Sequence, residues 1–162
     1  MSSHTSFAAP VRQIAPRART GRFARPVAQQ VEVVMRLFDA FERRDLEATL
    51  ALLDADVRFT PVTAQIARGG RPYEGHAGIR EYVRDALALW EEIELVPLEY
   101  QAVVGVVVVI GEVRARASSE FRAPVVWTWK LRGERVIEGR VHSDLECARA
   151  ALGEVAAGVR VA

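Results

Sequence analysis

Cysteine is almost missing from this chain: Cys147 is the only one among 162 residues. That excludes an intrachain disulfide and any cysteine-cluster metal site, and it fits a reducing compartment, so a cytoplasmic location is expected. Cys147 has no sequence-adjacent His or Lys to activate its thiol and reads as a packed side chain on the last helix. Long apolar runs are missing too. The longest, Val106 to Ile110, is strand-sized and far short of the roughly 20 residues that span a bilayer, so no membrane partner is expected. There is no Gly-rich phosphate loop, His-Glu-x-x-His, Gly-x-Ser-x-Gly or metal-ligand cluster. Nucleotide-, zinc- and serine-dependent chemistry therefore lack support, and no cofactor is expected.

Acidic side chains are missing from the start of the chain, where Arg12, Arg17, Arg19, Arg22 and Arg25 all precede Glu32. Setting those five aside leaves 17 basic against 21 acidic side chains, so the rest of the chain is near −4 although the whole carries +1. A mildly acidic domain argues against a nucleic-acid partner. Residues 1–25, with Pro10 and Pro16 and no apolar periodicity, read as a disordered basic leader.

What is present suits one globular domain. Half the residues are apolar and 27% are charged, and this length buries about two thirds of the unfolded surface in a single core. Val27, Val31, Val34, Phe38 and Phe41 recur in steps of four and three, which predicts a helix over 26–43 with Pro26 in its first turn. Asp45 reads as the N-cap of a short second helix carrying Leu46, Leu50 and Leu53, completing a hairpin. A short extended segment over 57–62 follows, then a polar loop through Gly69, Gly70 and Pro72. Ile79, Tyr82, Val83, Ala86, Leu87 and Trp90 mark a third helix over 77–90. Four strands are expected over 93–104, 106–117, 121–131 and 135–143, separated by short turns that make neighbours antiparallel. Leu145, Ala148 and Leu152 define a closing helix, and 154–162 form a tail. Helices first and a meander afterwards is the α+β pattern. Such helices cover one sheet face only, so a homodimer through the other face is expected.

Four segments resemble the SnoaL-like group of the nuclear transport factor 2-like superfamily: VMRLFDAFERRDLEATLALLDADVRF from Val34, YEGHAGIREYVRDAL from Tyr73, WTWKLRGERVIEGRVHSD from Trp127, and LECARAAL from Leu145. The resemblance covers 27–153. It implies a cone-shaped curved antiparallel sheet, four main strands and one short one, packed on the helical hairpin and third helix around an apolar pocket. The superfamily includes ketosteroid isomerases, epoxide hydrolases, polyketide cyclases and non-catalytic members, so the fold alone does not choose a reaction. Against the isomerase pattern, Leu37 stands at the catalytic tyrosine, Thr60 (or Phe59) at the aspartate base and Trp127 (or Val126) at the second acid; none can do that chemistry. Against the epoxide hydrolases, Asp144 matches one aspartate, but Glu112-Val113-Arg114 reverses the Arg-x-Asp order.

His142 and Asp144 are the candidate catalytic pair. They are two apart on the last strand, share a face with Arg140, and the resemblance makes that face the pocket. The competing reading makes Asp144 the cap of the closing helix and His142 a satisfied rim residue. The expected ligand-binding set is Leu37, Phe41, Phe59, Thr60, Tyr73, Arg116, Val125, Trp127, Trp129 and Arg140. Trp127 and Trp129 repeat at strand spacing as an aromatic wall or as core. Glu112, Arg114 and Arg116 oppose the continuous small or apolar set Val107, Val109, Gly111, Val113 and Ala115. They are therefore expected outside the cone, unless a bulge near Gly111 turns Arg116 inward as an anion anchor. Tyr73 and His76 flank Gly75 as loop anchors or lid contacts. Two functions follow. One is a pocket enzyme acting by cofactor-free isomerisation, cyclisation or hydrolysis on a lipophilic ring- or carbonyl-containing metabolite. The other is a non-catalytic ligand-binding or dimerisation module of the same fold.

Overall fold

The computed structural model describes residues 25–152, so the expected leader and tail lie outside the described residues. Helix α1 (Arg25–Glu42) forms where the apolar stripe predicts it. Val27, Val31, Val34, Leu37 and Phe38 are buried, while Glu32, Arg36 and Asp39 face water. The helix ends in a Schellman motif: the Asp45 N–H donates to the Ala40 carbonyl at 2.9 Å and the Arg44 N–H to the Phe41 carbonyl at 3.0 Å. The left-handed position of that motif, usually glycine, is Arg44 with φ 55°. Asp45 then caps α2 (Leu46–Leu52), its side chain accepting from the Ala48 N–H at 3.0 Å.

The expected short strand starts earlier than its sequence pattern suggests, as β1 (Leu53–Thr60). Pro61 heads a six-residue helix, α3 (Val62–Ala67), where a loop is expected; six residues are too few to display a period. A two-residue strand β2 (Tyr73–Glu74) leads into α4 (Gly75–Leu89). The meander is β3 (Glu92–Val103), β4 (Val106–Arg116), β5 (Glu120–Arg132) and β6 (Arg135–His142), and α5 (Leu145–Leu152) closes the chain.

The sheet runs β2-β1-β6-β5-β4-β3, six strands rather than five. It is mixed rather than wholly antiparallel, because β1 lies parallel to β6. A parallel neighbour needs a long crossover, here supplied by everything between α3 and β5. The edge strand β3 carries Pro97 together with Glu92, Glu94 and Glu99, which discourage further strand pairing.

The β1–β6 pairing shifts register between Leu53 and Arg58, and two bulges interrupt the meander. One leaves Leu98 unpaired between the Pro97–Gly111 and Glu99–Ile110 pairs, so it lies in β3 while β4 itself alternates without a break. The other lies in β6 at Ile137, since Leu131 pairs with Val136 but Lys130 pairs with Glu138. The inner face carries Val107, Val109, Val113, Val125, Trp127, Trp129 and Val136 into the core under α1 and α4. Contrary to the expectation that one face stays bare, α5 lies on the outer face and buries Ala148 with Val106, Val108 and Val126.

Candidate functional site

Between the helical layer and the inner sheet face lies a cavity of about 230 Å³, walled by Leu37, Phe38 and Phe41 of α1, Val57 and Phe59 of β1, Ile79, Tyr82 and Ala86 of α4, Ile93 and Leu95 of β3, and Trp129 of β5. Aromatic packing shapes its floor: Phe59 stacks on Trp129 with ring centroids 5.9 Å apart, and Tyr82 meets Phe59 edge-on at 5.0 Å. Burial raises the Tyr82 hydroxyl above its ordinary pKa, with Tyr73 adding to the effect. The Trp129 indole N–H is buried with no hydrogen-bond partner. Only two charged residues line the space, Glu42 and Arg44, both where α1 ends.

The cavity owes its width beside β6 to Gly139. A Cβ there would stand 2.4 Å from Trp129 Cζ3 and 3.1 Å from Phe59 Cδ2, so any larger residue displaces the rings of the floor. Deeper in the cone, Trp127 is 1% exposed and lies against Gly111, where a Cβ would meet its Cζ3 at 2.9 Å and the Val96 carbonyl oxygen at 2.1 Å. Trp127 therefore belongs to the packed core rather than to the cavity wall.

Of the expected ligand-binding residues, Leu37, Phe41, Phe59 and Trp129 line the cavity. Val125 and Trp127 face inward but belong to the packed core beyond it. Tyr73 is fully buried and ties its strand to α4, donating to Asp85 Oδ2 at 2.6 Å beneath the Arg68 guanidinium. Burial first, then the Asp85 hydrogen bond, raises its pKa. His76 is likewise structural, with Nε2 3.1 Å from the Leu53 carbonyl oxygen.

The polar and charged members of the set stand on the other face. Thr60 pairs with Arg140 one residue past the inward Phe59, and Arg140 neighbours Thr128. Arg116 bonds Glu92 at 2.7 Å and Glu91 at 3.0 Å. Arg114 and Arg122 both hold Glu112, whose carboxyl lies below the usual range first through its Arg122 hydrogen bond.

His142 and Asp144 are also outside the cavity. Val136 points inward, and without a bulge Glu138, Arg140 and His142 would follow it. The extra residue at Ile137 reverses the facing, so Gly139 and Val141 turn inward instead. His142 pairs with the outer-face Val126, and its Nε2 lies 3.0 Å from Thr128 Oγ1. Burial, then the Arg140 charge, holds its pKa below the ordinary value, outweighing Asp144. Asp144 accepts from the Cys147 N–H at 2.7 Å, the capping role, and that bond keeps its carboxyl below the usual range.

The sequence reading missed Glu42 and Arg44 and treated Ile79, Tyr82 and Ala86 as packing alone. Their helical stripe was visible; that it faces a void is a tertiary fact. Among the described residues, no three His, Cys, Asp or Glu side chains gather as metal ligands, and no helix is long and apolar enough to cross a membrane.

Comparison with known proteins agrees with this architecture. An NTF2-like protein of unknown function from Burkholderia pseudomallei superposes with a TM-score of 0.65 at 28% identity, over 72% of this chain and 91% of that one. TerC, co-crystallised with polyporic acid, gives a TM-score of 0.65 at 22% identity, over 80% and 99%. A putative polyketide cyclase from Xanthomonas campestris gives 0.60 at 16%, over 73% and 92%. No curated protein matches. The family model for a SnoaL-like domain matches residues 34–139, and the chain belongs to that family.

Proposed function

We propose that this SnoaL-like protein binds one small apolar molecule in the cavity beneath α1 and α4 and leaves it chemically unchanged. The observation that carries the reading is the division of chemistry between the two sheet faces. The walls are aliphatic and aromatic apart from Thr49 and the Tyr82 hydroxyl, which burial keeps protonated, charge stands only at the mouth, and the acid–base candidates His142 and Asp144 lie across the sheet. Isomerisation, cyclisation or hydrolysis by acid–base catalysis needs a proton-transferring side chain within hydrogen-bond reach of the substrate. A volume of about 230 Å³ lies below the roughly 300–1,000 Å³ of pockets for drug-sized ligands, which points to a small guest.

Titration calorimetry with octanol tests this. Saturable binding of one molecule per chain, abolished when Ala86→Phe fills the cavity, supports it. Absence of binding, or binding indifferent to Ala86→Phe in a folded variant, overturns it. The same reading places the protein in the cytoplasm as a homodimer. Because α5 closes the apolar half of the outer face, self-association would use the β3–β4 half, where Leu98 is 56% exposed. Sedimentation at micromolar concentration showing only single chains would remove the dimer from the proposal.

A further inference from the structure

The apolar cavity is not closed off from the charged surface. A shallow depression of about 570 Å³ beside it is lined by Arg114, Arg116 and Arg122 with Glu92, Glu94 and Glu120, and the two spaces share Arg44 and Ile93. A molecule seated in the cavity therefore meets Arg44 on its way out. Of the four arginines that line the two spaces, three are ion-paired: Arg114 with Glu94 and Glu112, Arg116 with Glu91 and Glu92, and Arg122 with Glu112. Arg44 has no ion-pair partner within 4.0 Å among the described residues.

The backbone adds a second, independent observation. Arg44 occupies the left-handed position of the α1 Schellman motif at φ 55°, where glycine is free of strain and a side chain is not. The consequence of holding a non-glycine residue there is that the turn carries a guanidinium at the cavity mouth. Strained positions that carry reactive or binding groups are a recurring feature of ligand sites, and here strain, an unpaired cation and an apolar chamber coincide.

We infer that the ligand is an amphipathic monoanion, an apolar body in the cavity with a carboxylate at its mouth on Arg44. The guanidinium fork matches a planar carboxylate, and it competes poorly with water unless the partner is also charged. Arg44 supplies one positive charge at the opening, enough to balance one carboxylate, and Glu42 beside it opposes a second negative charge. The inference rests on the cavity-binding reading above and adds the head group.

The test compares octanoate, octanol and octylamine, three probes of one length, by titration calorimetry at neutral pH and low salt on the full chain. Octanoate should bind at least about tenfold tighter than octanol, and octylamine more weakly than either. Arg44→Gln should erase the preference for octanoate, so that octanoate and octanol bind the variant within about threefold of each other. Arg44→Gly removes the guanidinium and relieves the turn, so it should lose the same preference while melting no lower than the unaltered protein; that keeps a folding defect from imitating the result. Octanol and octanoate binding equally, octylamine binding most tightly, or Arg44→Gln keeping the octanoate preference each overturns the head-group assignment and leaves cavity binding intact. If none of the three binds, both readings fall together.

Discussion

The inner and outer faces of this sheet are made from alternate residues of the same strands, yet they meet different fates. Along β4, Val107, Val109 and Val113 are almost wholly buried under the helices, while their neighbours Glu112 and Arg114 join an ion-pair ladder reaching Glu94 and Arg122. The inner face is held by close packing, where each methylene counts and neighbours cannot yield. The outer face is held partly by α5 and partly by partly solvated charges, which rearrange at little cost. Changes on the two faces should therefore differ in size as well as kind.

The largest effect is expected at Gly111 on the inner face. Gly111→Val places side-chain atoms where the Val96 carbonyl oxygen stands 2.1 Å and the Trp127 ring 2.9 Å from the first added carbon. Backbone cannot rotate out of the way, so a loss of about 3 kcal/mol or more is expected in urea denaturation, at the upper end of overpacking costs. A loss below about 1 kcal/mol would show that the pairing of β3 with β4 is looser than the register implies.

Next is Gly139→Ala, also on the inner face but beside the cavity. The added carbon meets Trp129 at 2.4 Å. Because that ring borders open space, it can move into the void, so the cost should fall to about 1–2 kcal/mol. Octanol affinity should drop with it. Calorimetry showing unchanged affinity would separate Trp129 from the ligand space.

On the outer face, Glu112→Gln breaks contacts to Arg114 and Arg122 and should cost no more than about 1 kcal/mol. The Glu112 carboxyl lies below its ordinary range, first through Arg122, so its contribution is present above the unfolded carboxylate pKa and is lost as pH falls through the folded one. Accordingly, wild type and Glu112→Gln should keep their difference in mild acid and converge in melting temperature only as pH falls below the ordinary carboxylate range. A constant difference down to strongly acidic pH would assign the effect to packing instead.

The same comparison explains what was legible in the sequence. Periodicity located α1, α4, α5 and the four meander strands within a residue or two, because each repeats its pattern several times. It missed α3 and β2, which are too short to repeat anything. The facing of β4 was readable from the unbroken small and apolar set. The facing of β6 was not, since one extra residue at Ile137 exchanges the two sets, and nothing in Arg135 to His142 marks which residue is extra. His142, Asp144 and Arg140 were expected in the pocket on the resemblance to the SnoaL-like group, and that slip is why the structure turns His142 and Arg140 to the outer face instead. The cavity's wall was legible in part: Leu37, Phe41, Phe59 and Trp129 were named, whereas Glu42 and Arg44 belong to a turn whose contact with the chamber depends on tertiary packing.

The smallest effect concerns His142 and Asp144, and it asks whether the outer face carries any acid–base coupling. Asp144 favours the charged imidazole, but burial and Arg140 outweigh it, so the His142 pKa lies below its ordinary value. A base whose folded pKa is lowered takes up its proton first in the unfolded chain. His142 therefore leaves stability untouched above the unfolded pKa and reduces it as pH falls through that value toward the folded one. Asp144→Asn keeps an acceptor for the Cys147 N–H, so the cap on α5 should survive and the melting temperature should stay essentially unchanged. Removing the charge should nonetheless lower the His142 pKa further, measurable by NMR of its ring protons across pH, while octanol binding stays as it was. Superimposable titrations would show the two side chains to be electrostatically independent. A loss of octanol binding in a fully folded Asp144→Asn variant would be more serious, because it would couple the outer face to the cavity and undo the division between them.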